Sequence, residues 1–252
     1  MIKILLSGIC GTMGKMILLA CRSETELTVV AGVDQVAGDT DSLPVYSSFK
    51  DCIEKADVVL DFSNSVVLDS IYEYCSVNKI PAVICTTGFT EEQEKKIAQL
   101  SKIVPVFKSA NMSLGVNLIA NLAKTAAKLL SGSFDIEILE KHHRRKVDAP
   151  SGTAMMLANE INAACDGRYH YVYERESVRQ SRGNEELGIH AIRGGTIVGE
   201  HDVIFAGTDE IVTLSHSASS RSVFATGAIA AVKFIVRQEP GFYNMNDLIG
   251  QL

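Results

Sequence analysis

No run of apolar residues in this chain reaches the roughly 18 that a membrane-spanning helix needs, so no membrane partner is expected. The N-terminal residues Met1–Gly8 lack the long apolar region and the small-residue cleavage site of a secretory signal, and they read instead as a strand running into a glycine turn. Cys10, Cys21, Cys52, Cys75, Cys85 and Cys165 are scattered, with no Cys-x-x-Cys and no paired metal-ligand spacing. That pattern predicts reduced core thiols, no structural metal and a cytoplasmic location. Positive charge is also in deficit: the formal net charge is −6 and the pI is near 5.5. A nucleic-acid partner is therefore not expected, and the short basic run at 141–146 needs a local explanation. What the chain does have is apolar material, at 46% of 252 residues enough for one large core or two modest ones.

The first half alternates. Ile2–Leu6 is a short apolar run suited to a strand buried on both faces. Gly8-Ile-Cys-Gly11-Thr-Met-Gly14 follows at once and opens a helical pattern through Ala20. This is the strand, turn and helix order of a dinucleotide-binding unit, with G-x-x-G-x-x-G in place of the commoner spacing; the glycines let a pyrophosphate approach backbone N–H groups at the positive end of a helix. A second strand, Leu27–Val33, ends at Asp34, 20 residues beyond Gly14, where a carboxylate accepts hydrogen bonds from ribose hydroxyls. No cation accompanies it: Gln35 follows Asp34, Thr12 sits in the loop and Asn64 follows a later strand. NADH is expected over NADPH for that reason. Strands at 57–61, 81–84 and 103–107, with helices at 66–77 and 91–100, continue the alternation, which predicts a doubly wound parallel sheet. Ligands bind beyond the carboxyl ends of such strands, which nominates the loops 61–63, 85–88 and 109–112. The cofactor-binding candidates are Gly8, Ile9, Cys10, Gly11, Thr12, Met13, Asp34, Cys85, Thr86, Thr87, Ser109, Ala110, Asn111 and Met112. For Thr86 and Thr87 a plain strand-ending loop that caps the next helix is an equal alternative.

After a helix at 114–130 the character changes, and Phe134–Glu140 alternates as a half-buried strand does. Continued extended geometry puts His142 on one face with Ile136, Ile138 and Glu140, and His143 on the other. Pro150 and Ser151 fit a helix start ahead of 154–161. Two imidazoles, Lys146 and the N–H groups of Ser151-Gly152-Thr153 thus fall within fourteen residues, a set suited to moving a proton and holding a small dianion. His170, His190, His201 and His216 are assigned structural or surface roles. Strands near 169–173, 188–193, 195–205 and 210–216 predict a mainly antiparallel sheet whose uncovered face suits a homo-oligomer. A helix at 222–236 returns to the first domain.

The ordered motifs Gly8-x-x-Gly11-x-Met13-Gly14, Thr86-Thr-Gly-Phe89, Asn111-x-Ser-x-Gly-Val-Asn117, His142-His-x-x-Lys146-x-Asp-Ala-Pro-Ser-Gly-Thr153, Val198-Gly-Glu-His201 and Ser219-Ser-Arg-x-x-Phe224 span essentially the whole chain. Together they resemble the dihydrodipicolinate reductases, nicotinamide-dependent reductases of lysine and diaminopimelate biosynthesis. The resemblance implies an α/β fold, a Rossmann-like doubly wound sheet plus a second α+β domain with a mixed, mainly antiparallel sheet. Residues 1–112, completed by 222–252, would form the dinucleotide-binding domain, and 113–221 the substrate-binding and oligomerisation domain of a homotetramer. It further implies His142 and Lys146 as catalytic residues, His143 beside Lys146 on one substrate carboxylate, and Gly152 and Thr153 on the other. The substrate would be the small cyclic imine dicarboxylate derived from 4-hydroxy-tetrahydrodipicolinate. Arg144, Arg145 and Lys146 are expected to make a His142 imidazolium harder to form, and a bound dianion to make it easier. The missing cations around Asp34 are the departure from the family pattern. Two other readings share parts of this evidence: a different two-domain dehydrogenase, and a nucleotide-sensing module without catalysis; neither needs the His142-to-Lys146 run.

Overall fold

In the computed structural model, which describes residues 1–36, 40 and 43–251, the first strand, β1 (Ile2–Ser7), buries Ile4, Leu5 and Leu6 completely. Only a strand covered on both faces does this. The chain continues through α1 (Thr12–Cys21), β2 (Leu27–Val33), β3 (Val45–Tyr46), β4 (Val58–Asp61), α2 (Leu68–Asn78), β5 (Ala82–Ile84), α3 (Glu91–Leu100) and β6 (Pro105–Lys108). Then follow α4 (Leu114–Leu130), β7 (Asp135–His142), α5 (Gly152–Ala164), β8 (His170–Val172), β9 (Glu186–Arg193), β10 (Gly199–Ala206) and β11 (Ile211–Ala218). The last elements are α6 (Ser222–Ile235), β12 (Gly241–Tyr243) and α7 (Met245–Ile249). They form two compact units, Met1–Leu114 with Ser222–Leu252, and Gly115–Arg221. Leu252, the last residue of the expected first domain, lies outside the described residues.

Unit 1 is a seven-stranded sheet in the order β12-β6-β5-β4-β1-β2-β3, parallel throughout. Alternate residues of β1 feed two cores: Ile4 and Leu6 pack with α1 and α6, while Leu5 packs with Ile71 of α2 and Ile97 of α3. The chain reverses its order of progress between β1 and β4, so the crevice beyond their carboxyl ends is the ligand position of this architecture. A 3-10 turn at Ser65–Val67, capped by the Asn64 side chain, takes the first residues of the helix expected at 66–77. The strands β3 and β12 are two and three residues long and carry no alternation that a sequence reading detects.

Unit 2 is a five-stranded mixed sheet, β11-β10-β7-β9-β8. Antiparallel pairing joins β11, β10 and β7 along their lengths, and parallel pairing adds β9 and the short β8. One face is closed by α4 and α5 through Ile119, Ala123, Leu157 and Ile161 against Ile136, Ile138, Val203 and Phe205. Strand β7 alternates strictly, burying Ile136, Ile138, Glu140 and His142. A polar pair thus continues an apolar face, and it needs internal partners. Among the described residues no helix is long and apolar enough to cross a membrane.

Candidate active site

In unit 1 the glycine loop is built by close backbone approach. Gly8 has φ +79°, and a Cβ there would lie 2.6 Å from the Phe62 carbonyl oxygen. At Gly14 the same atom would lie 2.3 Å from the Gly8 oxygen and 2.4 Å from that of Ile9. Helix α1 begins after Gly11, whose N-cap position has no side-chain hydrogen bond, so the first N–H groups of the helix are left for an anion. Asp34 stands beside this loop: its Oδ2 accepts from the Cys10 N–H at 2.9 Å and its Oδ1 from Val36 N–H at 3.2 Å. Each oxygen keeps acceptor capacity for a ribose hydroxyl. Cys85, Thr86 and Thr87 line a polar cavity of about 240 Å³ together with Phe62, Ser63, Asn64 and Ser65. Next to it the buried Asp61 accepts from the Ser63 hydroxyl and N–H; burial pushes its carboxyl up, against the pull of those hydrogen bonds. Thr12, Met13, Ser109, Ala110 and Asn111 are exposed or half-buried. Ile9 and Met112, by contrast, bury their side chains in the core, which leaves their backbone as the part able to face a ligand. A dinucleotide held here would meet the Asp34 carboxylate and the free N–H groups at the start of α1.

In unit 2, β7 ends where the Gly194 N–H bonds to the His142 carbonyl (3.0 Å), and the turn that follows closes with Lys146 N–H on the His143 carbonyl (3.0 Å). His142 is 8% exposed. Its Nδ1 lies 2.6 Å from Glu140 Oε2, and its Nε2 edge faces Gly199, where a Cβ would come within 3.1 Å of it. Burial lowers the His142 pKa; Glu140 opposes this, while Lys146 and Arg193 add to it. Lys146 thus acts as expected, and Arg193 is a cation from β9 that the sequence reading did not anticipate. His143 lies just past the strand and is half-buried, and its buried Nδ1 has no partner among the described residues. Lys146 Nζ is bonded at 2.9 Å to the exposed carboxylate of Asp148, whose pKa it lowers.

Helix α5 starts at Gly152, and its N-cap is Ser151, whose Oγ accepts from the Ala154 N–H at 3.2 Å. Pro150 therefore precedes the cap and is not the first helical residue. Gly152 is exposed, a Cβ on it would meet nothing within 4 Å, and Thr153 beside it is half-buried, so the helix start opens onto free space. The structure thus brings His142, His143, Lys146, Gly152 and Thr153 together within unit 2. Sequence reasoning named the Ser151 N–H as an anion donor but missed Glu140 and Arg193 as functional neighbours, and it gave His201 a structural or surface role. The signal for Glu140 was present in the period-two alternation that places it on the face of His142. Among the described residues no cluster of His, Cys, Asp or Glu could hold a metal ion.

His201 is 4% exposed, with its Nε2 at 3.1 Å from Ser151 Oγ and its ring edge-on to His142 at 5.1 Å. Burial lowers its pKa to about 4, with His142 a lesser cause. The unfolded chain has an ordinary imidazole near 6.5 and takes up the proton first as pH falls. The stability tied to neutral His201, about 3 kcal/mol, is therefore complete above about pH 6.5 and is lost as pH falls through about 4. Thermal melting between about pH 7 and 5 should show this decline, and a His201→Asn variant a flatter one.

The comparisons with known proteins match this fold. Residues 2–112 match the family model described as dihydrodipicolinate reductase, N-terminus, and residues 115–249 the one described as dihydrodipicolinate reductase, C-terminus. Proteins named 4-hydroxy-tetrahydrodipicolinate reductase from Caldanaerobacter subterraneus subsp. tengcongensis and Clostridium novyi are 51% and 48% identical, each alignment covering 99% of this chain and 98% of the relative. Among solved structures, the dipicolinate-bound dihydrodipicolinate reductase of Paenisporosarcina sp. TG-14 is similar with a TM-score of 0.83 at 25% identity, over 98% of this chain and 99% of that one. With both halves matched in order and relatives aligned from end to end, the chain belongs to the dihydrodipicolinate reductase family, oxidoreductases that reduce 4-hydroxy-tetrahydrodipicolinate.

Proposed function

We propose that the protein reduces the cyclic imine dicarboxylate formed from 4-hydroxy-tetrahydrodipicolinate in lysine and diaminopimelate biosynthesis, with NADH held by unit 1 and the dicarboxylate by unit 2. The observation that carries this reading is the cluster in unit 2: a buried histidine with a carboxylate on Nδ1, next to an unpartnered His143 Nδ1, a lysine and an open helix start. The dipicolinate in the Paenisporosarcina structure is a ligand of the same charge type. The bound nicotinamide nucleotide supplies the hydride. His142 delivers the proton from Nε2 to the atom that gains negative charge, and a positioned acid of this kind contributes roughly 10²–10⁴-fold. Lys146 and His143 hold one carboxylate, and the Gly152 and Thr153 N–H groups the other. Lys146 must exchange Asp148 for the substrate; that ion pair is exposed on the Asp148 side, at 57%, so its loss costs little. A bound dianion beside His142 raises the imidazole pKa that burial has lowered, and the acid is armed by its own substrate.

NADH is the favoured nucleotide. The carboxylate of Asp34 is pinned at the loop by Cys10 N–H, and a 2′-phosphate would meet it with like charge. Gln35 offers no cation and spends its amide on the Ser47 carbonyl at 2.7 Å. Oxidation of the reduced nucleotide, followed by its near-ultraviolet absorbance with substrate generated in situ, tests activity and preference together. The expected result is turnover with a KM for NADPH roughly tenfold or more above that for NADH at low salt, equivalent to about 1.4 kcal/mol. A clear NADPH preference would reverse the cofactor assignment, and absence of turnover the function. Six free thiols support a cytoplasmic setting. The outer sheet face of unit 2, with Ile192 and Ile211 exposed, supports a homotetramer, for which the mass in solution is the check.

A further inference from the structure

Glu140 is fully buried, two residues before His142 on β7 and on the same face. Each of its oxygens has two partners. Oε1 accepts from the Ser151 N–H at 2.9 Å and from Arg193 Nη2 at 2.6 Å. Oε2 accepts from Arg193 Nη1 at 2.7 Å and lies 2.6 Å from His142 Nδ1. A backbone N–H and a guanidinium can only donate, so Oε1 accepts in both of its contacts and Oε2 accepts from Arg193, and the bidentate guanidinium fork favours the ionised carboxylate. Burial would raise its pKa, but Arg193, His142 and the Ser151 N–H together hold it below the ordinary range. Arg193 is itself fixed, with Nη2 on the Asp148 carbonyl at 2.6 Å. The parallel register of β7 and β9 sets Arg193 opposite His142. A buried carboxylate alone would be costly; the guanidinium fork makes it tolerable.

We propose that Glu140, clamped by Arg193, is a positioning residue that keeps His142 in its Nδ1–H form and so dedicates Nε2 to proton transfer. The inference rests on the reading of His142 as the acid. With an ionised acceptor at Oε2, Nδ1 must carry hydrogen in both protonation states of the ring. The only proton that comes and goes is then the one on Nε2, the edge that Gly199 leaves uncrowded. The charged and titratable groups around the ring are Glu140 on its own strand, Arg193 from β9, His201 from β10 and, beyond the strand end, Lys146 with its partner Asp148. Burial, Lys146 and Arg193 work against the imidazolium, and Glu140 is the group that favours it. Glu140→Gln keeps the volume but presents an NH₂ either to Arg193 and Ser151 or to Arg193 and His142. In the second arrangement Nδ1 becomes an acceptor and the proton moves to the wrong nitrogen.

Imidazole nitrogen shifts measured by NMR on the full chain labelled in histidine, with pH profiles of kcat, test this. Neutral His142 should be the Nδ1–H tautomer in the unaltered protein. In Glu140→Gln it should be mixed or Nε2–H, kcat should fall roughly 10²-fold, and the alkaline limb of kcat should move to lower pH with the nucleotide KM unchanged. An Nε2–H tautomer in the unaltered protein overturns the proposal whether or not the variant folds. So does a Glu140→Gln enzyme with the original tautomer and pH limb. Full activity in His142→Gln would instead remove the reading of His142 as the acid, and it leaves a different signature from either result.

Discussion

His142→Gln should lower kcat by about 10²–10⁴-fold while leaving the KM for NADH unchanged. Glutamine matches much of the volume and polarity of the imidazole but cannot hold a transferable proton near neutral pH. The nucleotide is proposed to be held by Gly8, Gly14 and Asp34, whereas His142 is proposed to act on the substrate, so its loss is expected in kcat. The pH dependence gives a second reading of the same experiment. An imidazolium acid is present at low pH and is lost as pH rises through its pKa, which burial places below the ordinary value in the free protein. The unaltered enzyme should therefore lose activity on the alkaline side, and in the variant that limb should vanish, leaving a small rate with a flat profile. Steady-state kinetics across the neutral range check both points. An unchanged kcat with the original limb would mean that the proton comes from elsewhere.

Gly14→Ala should damage the glycine loop of unit 1 severely. The added Cβ would sit 2.3 Å from the Gly8 oxygen, 2.4 Å from the Ile9 oxygen and 2.6 Å from the Ile9 carbonyl carbon. All three are backbone atoms of the loop, so no side chain can rotate out of the way. Overpacking of this kind costs about 3 kcal/mol or more, which in a protein of this size lowers the melting temperature by roughly 10 °C. Relief requires the loop to move away from α1, and that displaces the N–H groups proposed to hold the pyrophosphate, so nucleotide affinity should fall as well. Gly11→Ala is the internal comparison: its Cβ would lie 3.2 Å from the Gly8 oxygen, a few tenths of an ångström from ordinary contact. Calorimetry and nucleotide titration on the two variants should separate them clearly. Equal, small effects would show that the loop is more yielding than its packing indicates.

Much of this was legible in the residues. The run from Ile2 to Leu6 into Gly8, Gly11 and Gly14, with Asp34 at the end of the next strand, is a local pattern, because a strand buried on both faces, a tight turn and a helix start each select residue types within a few positions. The alternation through Ile136, Ile138, Glu140 and His142 is equally local. The two shortest strands, β3 and β12, escaped notice because two or three residues cannot display a period. His201 was set aside because the motif Val198-Gly-Glu-His201 carries no partner for its ring within the local sequence. Its place near His142 comes from the β10–β7 register, which pairs it with Glu140.

By itself the sequence determined the strand, turn and helix of the doubly wound sheet, the His-His-x-x-Lys run and the helix start that follows it, since each depends on neighbours along the chain. Only the tertiary structure decided what surrounds the His142 ring. Arg193 reaches Glu140 from 53 residues away and the Ser151 N–H from 11. Strand order and register set those distances, and a one-residue slip would send the same side chains to the opposite face. The physical reason is that a buried carboxylate needs every lone pair matched, and in this fold its donors come from its own strand, a neighbouring strand and a helix cap at once.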